Sequence, residues 1–452
     1  MTDTIEDVRP QATVRPQESA TVSNAHAPRA GRKRVVIVGG GFAGIAAAQA
    51  LKRSDVDVLL VDRRNHHIFQ PLLYQVATSV LSGAEIAAPI RQLAGSQKNL
   101  DVLLGEAMGV DVNARTLTVT IPGVGVREIP FDFLVVAAGM QPSYFGHDEF
   151  AAHAPGLKTL SDAEAIRGKI LSAFELADAT DDEIERARLM TFVLVGAGPT
   201  GVEMAASMAQ LARLTLRGQF RRINPATCSI IVVEGGKRIL PTFAEPLAES
   251  AAHRLEKLGV KIVTGAKVET VDENGVVADG KRISSATVLW TAGVAASPIT
   301  KSLGVKTDRA GRVPVGPFLN VEGVPGVFVV GDIASVMSNG RPVPGVAQAA
   351  LQEGAYVGRL IAEQLRGRDP YRPFHYLDLG TMAVVGKNFA VLESGWIRMS
   401  GFITYLAWLF IHLTRLPRLQ NFLRVQTQWF WSYFTSQRSS RLIPEAPRNR
   451  TP

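Results

Sequence analysis

Cysteine is almost missing: Cys228 is the only one in 452 residues. A disulfide framework or a cysteine metal cluster cannot be built within one such chain, and a reducing compartment suits it. The eight histidines have no ligand spacing. His66 and His67 are adjacent, which does not place two ligands on one helix face, so no metal is expected. Long apolar runs are missing as well. GFITYLAWLFIHL (401–413) is apolar nearly all round but only 13 residues long, whereas a membrane span needs roughly 20. The first 33 residues lack an apolar segment and carry Asp3, Glu6 and Asp7. That excludes a secretory signal, argues against a transit peptide, and reads as a disordered leader, 1–33. No basic stripe sits on a recognisable nucleic-acid-binding fold, so nucleic acid is not an expected partner.

What is present reads as globular. The chain is 46% hydrophobic and 20% charged, and its length allows two or three domains with sizeable cores. RVVIVGGGFAGIAAAQAL (34–51) passes from a β-branched run through glycines to an alanine-rich helix. Gly39, Gly41 and Gly44 form G-x-G-x-x-G, and VDVLLVD (56–62) supplies a second strand ending in Asp62. The first glycine permits the tight turn, the second lets backbone approach a pyrophosphate, and the third lets helix and strand pack closely. The helix N-terminus offers N–H donors to the phosphates, and the strand-end acid can accept from ribose hydroxyls.

The pattern recurs. MTFVLVGAGPTGVEMAASMAQL (190–211) contains Gly196, Gly198 and Gly201, and SIIVVEGG (229–236) ends its strand at Glu234. That acid comes 38 residues after Gly196 rather than roughly 20, so an extended helix and loop are expected between them. FLVVAAG (133–139) and VLWTAG (288–293) read as the closing strands of the two units, and GVFVVGDIAS (326–335) as a strand with which the first unit resumes. VDENGVVADGKRI (271–283) reads as turns and small antiparallel strands. Two such sites in one chain suggest two nucleotides face to face, most economically FAD and NAD(P)H. An acid at Glu234 favours a free 2′-hydroxyl, hence NADH, although Lys237 and Arg238 lie close by.

This order resembles the two-dinucleotide-binding flavoprotein superfamily, whose first motif takes FAD and second NAD(P)H. Its disulfide reductases carry a cysteine pair after the second strand, where this chain reads RRNHHIFQPLLYQVATSVLSGAEI. Dithiol relay is thereby excluded. NHHIFQPLLYQVAT (65–78), GAGPTGVEMA (196–205), GVAQAALQEG (345–354) and QWFWSYFTSQRSSRLI (428–443) resemble type II NADH:quinone oxidoreductases, the non-pumping respiratory NADH dehydrogenases. The likeness spans roughly residues 34–443. It implies FAD on Gly39, Gly41, Gly44, Asp62 and Asp332, and NADH as substrate on Gly196, Gly198, Gly201 and Glu234. It also implies Glu203 beside nicotinamide and flavin, and Gln348 and Gln352, one face of a helix, at a quinone pocket. Lys387 would lie near the flavin. Expected partners are NADH, membrane quinone and the bilayer surface at the cytoplasmic side of the inner membrane.

The expected fold class is α/β: two Rossmann-like dinucleotide-binding domains, the second inserted in the first, plus a C-terminal helical membrane-surface anchor. The divisions fall at 34–150 and 310–395 for the FAD domain, 151–309 for the NADH domain, and 396–452 for the anchor. That tail holds Trp396, Trp408, Trp429 and Trp431, four of the five tryptophans, with eight arginines, no lysine and one acid, Glu445. Leu419, Phe422, Leu423, Gln426, Trp429, Phe430, Tyr433 and Phe434 fall on one helical stripe, with Gln426 its one polar interruption. A stripe of this kind, flanked by arginines, suits a helix lying in the bilayer interface. A core-packing or dimer-forming helix pair would show the same stripe. Two other functions stay open: a soluble NADH-dependent reductase of a ferredoxin- or rubredoxin-like protein, which would not need this tail, and a flavin-binding redox sensor.

Overall fold

The computed structural model describes residues 29, 31–368 and 372–444. Most of the leader, together with Glu445, Arg448 and Arg450, lies outside them. The first unit opens with β1 (Arg34–Val38), helix α1 (Phe42–Ala50) and β2 (Asp57–Asp62). A short helix α2 (Leu73–Ala77) precedes β3 (Leu100–Leu104) and β4 (Phe133–Val136). Helix α3 (Leu160–Ala179) leads into β5 (Thr191–Val195), α4 (Pro199–Gln210), β6 (Ser229–Glu234), β7 (Val260–Thr264) and β8 (Thr287–Trp290). The chain then returns through β9 (Val327–Val329) to α5 (Ala347–Leu365). It ends in β10 (Thr381–Val384), β11 (Ala390–Ser394), β12 (Ile397–Gly401), α6 (Phe402–Thr414) and α7 (Leu419–Thr435).

Two parallel sheets result. The first runs β9-β4-β1-β2-β3 and the second β7-β6-β5-β8. Each residue of β1 is buried, as expected of a parallel strand covered on both faces. β9 pairs with β4 after the whole second sheet has been built, so the second unit is inserted in the first. The extra length before Glu234 is a π-helical extension of α4 (Leu211–Thr215) and a loop. The segment around 271–283 forms a three-stranded antiparallel sheet, Val268–Asp272, Gly275–Ala278 and Lys281–Ser284. Where the chain crosses between units, Met140–Pro142 pairs antiparallel with Val294–Ala296.

Small residues set the crossing of α1 and α5. A Cβ on Gly354 would sit 2.0 Å from the Ala43 carbonyl oxygen, and one on Gly358 would sit 2.6 Å from that of Ala47. The two helices therefore run closely packed in the same direction, Gly354 against Ala43 and Gly358 against Ala47.

The tail is less separate than a boundary at 396 suggests. β12 completes an antiparallel sheet with β11 and β10, so that boundary cuts a hairpin. Trp408 is 2% exposed, and Thr404, Asn421, Val425 and Arg438 are buried. The Asn421 side chain donates to the carbonyls of Ala84, Glu85 and Ala87. The stripe on α7 divides in two. Asn421, Val425 and Trp429 turn toward the protein, and Trp429 Nε1 donates to Gln75 Oε1 at 2.7 Å. Leu419, Leu423, Phe430, Trp431 and Phe434 turn outward, joined by Phe402, Ile403, Leu406 and Phe410 of α6. Among the described residues no helix is long and apolar enough to cross a membrane.

Candidate active site

The two glycine turns are built alike. Gly39 has φ +105° and Gly196 φ +102°, a region that favours glycine. A Cβ on Gly39 would meet the Ala137 carbonyl oxygen at 2.3 Å, and one on Gly196 the Ala292 nitrogen at 2.6 Å. Gly44 and Gly201 press their helices onto the turns: a Cβ would lie 1.8 Å from the Gly39 oxygen and 2.1 Å from the Gly196 oxygen. Gly41 and Gly198 face open space and cap α1 and α4 without a side-chain hydrogen bond. Their helix N–H donors are thus left for phosphate oxygens.

The acids are matched too. Asp62 Oδ2 accepts from Gly40 N at 2.6 Å and Oδ1 from Arg64 N at 2.7 Å. Glu234 Oε2 accepts from Ala197 N at 2.7 Å and Oε1 from Gly236 N at 2.7 Å. Each carboxylate clasps the residue after its first glycine. Each keeps lone pairs for ribose hydroxyls, because an ionised carboxylate offers about four acceptor sites.

After β9, the turn Gly331–Ile333 carries Asp332. Glu353 of α5 holds this turn, its Oε2 accepting from Gly331 N at 2.5 Å. Burial pushes the Glu353 carboxyl up to about 8. Burial also raises the Asp332 carboxyl, while Lys158 pulls it back. These residues fit FAD: an open glycine at a free helix N-terminus, an acid for the ribose, and a second acid at the end of a neighbouring strand.

Between the units lies a cavity lined by Tyr74, Lys158, Thr200, Glu203, Trp290 and Gly293, among others. A second cavity lies under the tail, where Trp408, Trp429, Tyr405 and Tyr433 form its wall and Glu203, Ser207 and Gln210 of α4 its floor. Glu203 and Tyr74 line both. Burial pushes the Glu203 carboxyl up to about 8, against a hydrogen bond from Val384 N at 3.3 Å. Lys387 lines the second cavity, donates to the Tyr433 carbonyl, and lies 4.0 Å from the centre of that ring. Arg438 lines it as well. Its guanidinium donates to the carbonyls of Thr78 and Ser207 at 2.6 and 3.0 Å, and burial brings it down to about 9.

Gln348 and Gln352 share a face of α5 but line neither cavity. Gln348 donates to the Gly380 carbonyl and accepts from Leu379 N; Gln352 does the same with the carbonyl and N–H of Leu377. Both amides strap 377–380, the lead into β10, to α5. Tyr74 and Arg438 lie inside the stretches 65–78 and 428–443, but nothing in those stretches singles them out, and Lys158 lies in no motif at all; the fold brings all three to the cavities.

The profile of the pyridine nucleotide-disulphide oxidoreductases matches residues 33–354. Type II NADH:quinone oxidoreductase Ndh of Mycobacterium tuberculosis is 45% identical over 441 residues, 95% of this chain and 93% of its own length. NdhA of the same organism is 45% identical over 91% of this chain and 90% of its own. The solved structure of NDH2 from Plasmodium falciparum in complex with NADH superposes with a TM-score of 0.82, covering 92% of this chain and all of that one. At 18% identity it speaks for the fold. The disulphide of the family name has no counterpart, since Cys228 is a single buried thiol. The chain belongs to the pyridine nucleotide-disulphide oxidoreductases and, among them, to the type II NADH:quinone oxidoreductases, FAD enzymes with NADH as substrate.

Proposed function

We propose that the first unit holds FAD and the second NADH, that quinone enters the cavity under the tail, and that the outward face of the tail rests on the membrane surface. The observation that carries this reading is Glu203, which lines both cavities at once. FAD held by the first unit would supply the two-electron chemistry that links NADH oxidation to quinone reduction. The chain does the rest. Gly198 and the N-terminus of α4 take the NADH pyrophosphate, Glu234 its ribose, and Thr200, Glu203 and Trp290 surround the nicotinamide. Gln348 and Gln352 hold the strand that brings Val384 and Lys387 to the quinone cavity. The protein lies on the cytoplasmic face of the inner membrane, where NADH is supplied, and no proton-translocating step belongs to the reaction. The test is quinone reduction by purified protein in liposomes with NADH as donor. A flavin that NADH bleaches but quinone fails to reoxidise would remove the quinone half, leaving a reductase of another acceptor or a sensor.

Reducing quinone to quinol takes up two protons, and a carboxyl group that is neutral at pH 7 can give one. Glu203 is protonated below about 8 and ionised above it. Quinone reduction is therefore expected to fall as pH rises through that value or, with a cofactor desolvating the site further, slightly above it. Glu203→Gln keeps the shape but has no proton to give, so its rate should be lower by about 10²–10³-fold at pH 7 and lose that alkaline limb. A wild-type limb that survives unchanged in the glutamine variant would assign the titration to another group.

Glu234 should select NADH over NADPH, because a carboxylate accepts from a 2′-hydroxyl and repels a 2′-phosphate. Glu234→Gln is expected to narrow the ratio of kcat/KM for the two by about one to two powers of ten. Equal use of both by the wild type would place the adenosine ribose away from Glu234.

A further inference from the structure

Among the described residues lining the cavity between the two units, Lys158 is the one cation. Its backbone is fixed. Lys158 N and Thr159 N donate to Asp162 Oδ2 at 3.0 and 2.8 Å, within the capping box that opens α3. The side chain is thus launched into the cavity from a rigid helix start. Its ammonium makes no hydrogen bond and no ion pair among the described residues. The acid close enough to act on it is Asp332, in the turn after β9, and the two form no ion pair.

A desolvated cation without a partner is costly, and sites that keep one do so for a negative ligand. Two parts of the bound cofactors carry or acquire negative charge. The FAD pyrophosphate belongs at the free N-terminus of α1 beside Gly41, which does not line this cavity. The lining residues Thr200, Glu203 and Trp290 are those assigned to the nicotinamide, so the redox end of the flavin meets Lys158. Hydride transfer moves one proton and two electrons from the neutral dihydronicotinamide to the ring. The nicotinamide is left cationic, and the isoalloxazine gains one negative charge until two electrons pass to quinone.

We infer that Lys158 is the flavin-facing cation that compensates the negative charge the isoalloxazine acquires on reduction. Burial alone would drive the ammonium toward its neutral form, and Asp332 opposes this. A fixed charge beside the ring is worth far more in a site closed to water than in solvent.

The inference rests on the reading that flavin and nicotinamide meet at this cavity. That reading is tested separately, by whether NADH bleaches the wild-type flavin. The experiment is the midpoint potential of FAD in the purified holoenzyme, measured against reference dyes without NADH, for wild type, Lys158→Met, Lys158→Gln and Lys158→Arg. Loss of the charge should shift the equilibrium toward oxidised flavin at least about tenfold, which is ~30 mV for a two-electron couple. The Met and Gln variants should both show it, and Arg should stay within about threefold of wild type. Thermal stability of the protein stripped of flavin should be nearly unchanged in the Met variant, because the Lys158 ammonium makes no hydrogen bond or ion pair among the described residues for the fold to lose. Met and Gln variants that keep FAD at the wild-type potential overturn the inference. So does a Met variant that releases FAD while the Gln variant keeps both FAD and potential, since Lys158 would then serve binding alone.

Discussion

Gly44→Ala is expected to give a colourless protein, and Gly201→Ala a yellow one that NADH reduces slowly. The added Cβ at 44 would stand 1.8 Å from the Gly39 carbonyl oxygen, and at 201 it would stand 2.1 Å from that of Gly196. Both obstacles are backbone, so neither can swing aside. At each site the helix start must lift from its turn, and the N–H groups aimed at the pyrophosphate lose their alignment. Forced overpacking of this kind costs about 1–3 kcal/mol or more, which falls directly on whichever nucleotide uses the turn. The first unit should lose FAD, and with it all turnover. The second should keep FAD, with flavin reduction by NADH slowed about 10²-fold, equivalent to ~2.7 kcal/mol. Flavin absorbance per chain and stopped-flow bleaching separate the two outcomes. A yellow Gly44→Ala protein with normal bleaching would detach the first turn from the flavin.

The near-symmetry behind this pair of outcomes was legible before any coordinates. Buried β-branched strands, glycines at fixed offsets and a strand-end acid are local signals, and the fold repeats them at Asp62 and Glu234 down to matched hydrogen bonds. The insertion was legible as well, because a third strand of the same buried type, Val327–Val329, follows the second unit and needs a sheet to join. Side-chain direction was not. The stripe on α7 has the period of a helix with one apolar face, yet the helix lies between protein and exterior and is apolar on both sides. Trp429 and Trp431 are two residues apart and so point apart, one to Gln75 and the other outward at 57% exposure. No periodicity says which of two apolar neighbours a ring will meet. Gln348 and Gln352 pose the same difficulty in polar form. Their spacing places them on one face of α5, but their partners come from residues 377–380, which only the fold brings there. Lys158 is a charged residue in unremarkable local sequence, and Arg438 stands among arginine and polar neighbours in the stretch 428–443; both are buried by segments distant in the chain.

Deleting residues 396–452 is expected to destroy the enzyme rather than release it from the membrane. The deletion takes β12 from its sheet and removes the buried Trp408, Val425 and Arg438. Truncating one buried tryptophan to alanine costs about 3–5 kcal/mol, against a total stability of roughly 5–15 kcal/mol for a domain. Thr78 and Ser207 would also lose the guanidinium that joins their carbonyls beneath Glu203. Surface substitution tests the anchor without that damage. Phe402, Phe410, Phe430, Trp431 and Phe434 are all at least half exposed, and burying each in a bilayer interface would contribute up to ~2 kcal/mol. Replacing the five by serine should leave flavin content and melting temperature nearly unchanged and abolish flotation with liposomes, neutral or anionic. Arg415, which caps the C-terminus of α6, and Arg424 of α7 are exposed, and a basic residue near an anionic surface contributes about 1 kcal/mol. Replacing both by glutamine should therefore weaken flotation with anionic liposomes by about tenfold or more and leave neutral ones unaffected. High salt should imitate the arginine variant and not the serine variant, because screening reaches charges and leaves apolar burial intact. If the serine variant, folded and yellow, still floats as well as the wild type, the membrane contact lies elsewhere on the molecule. The outward aromatics of α6 and α7 would then be left to cover another protein surface.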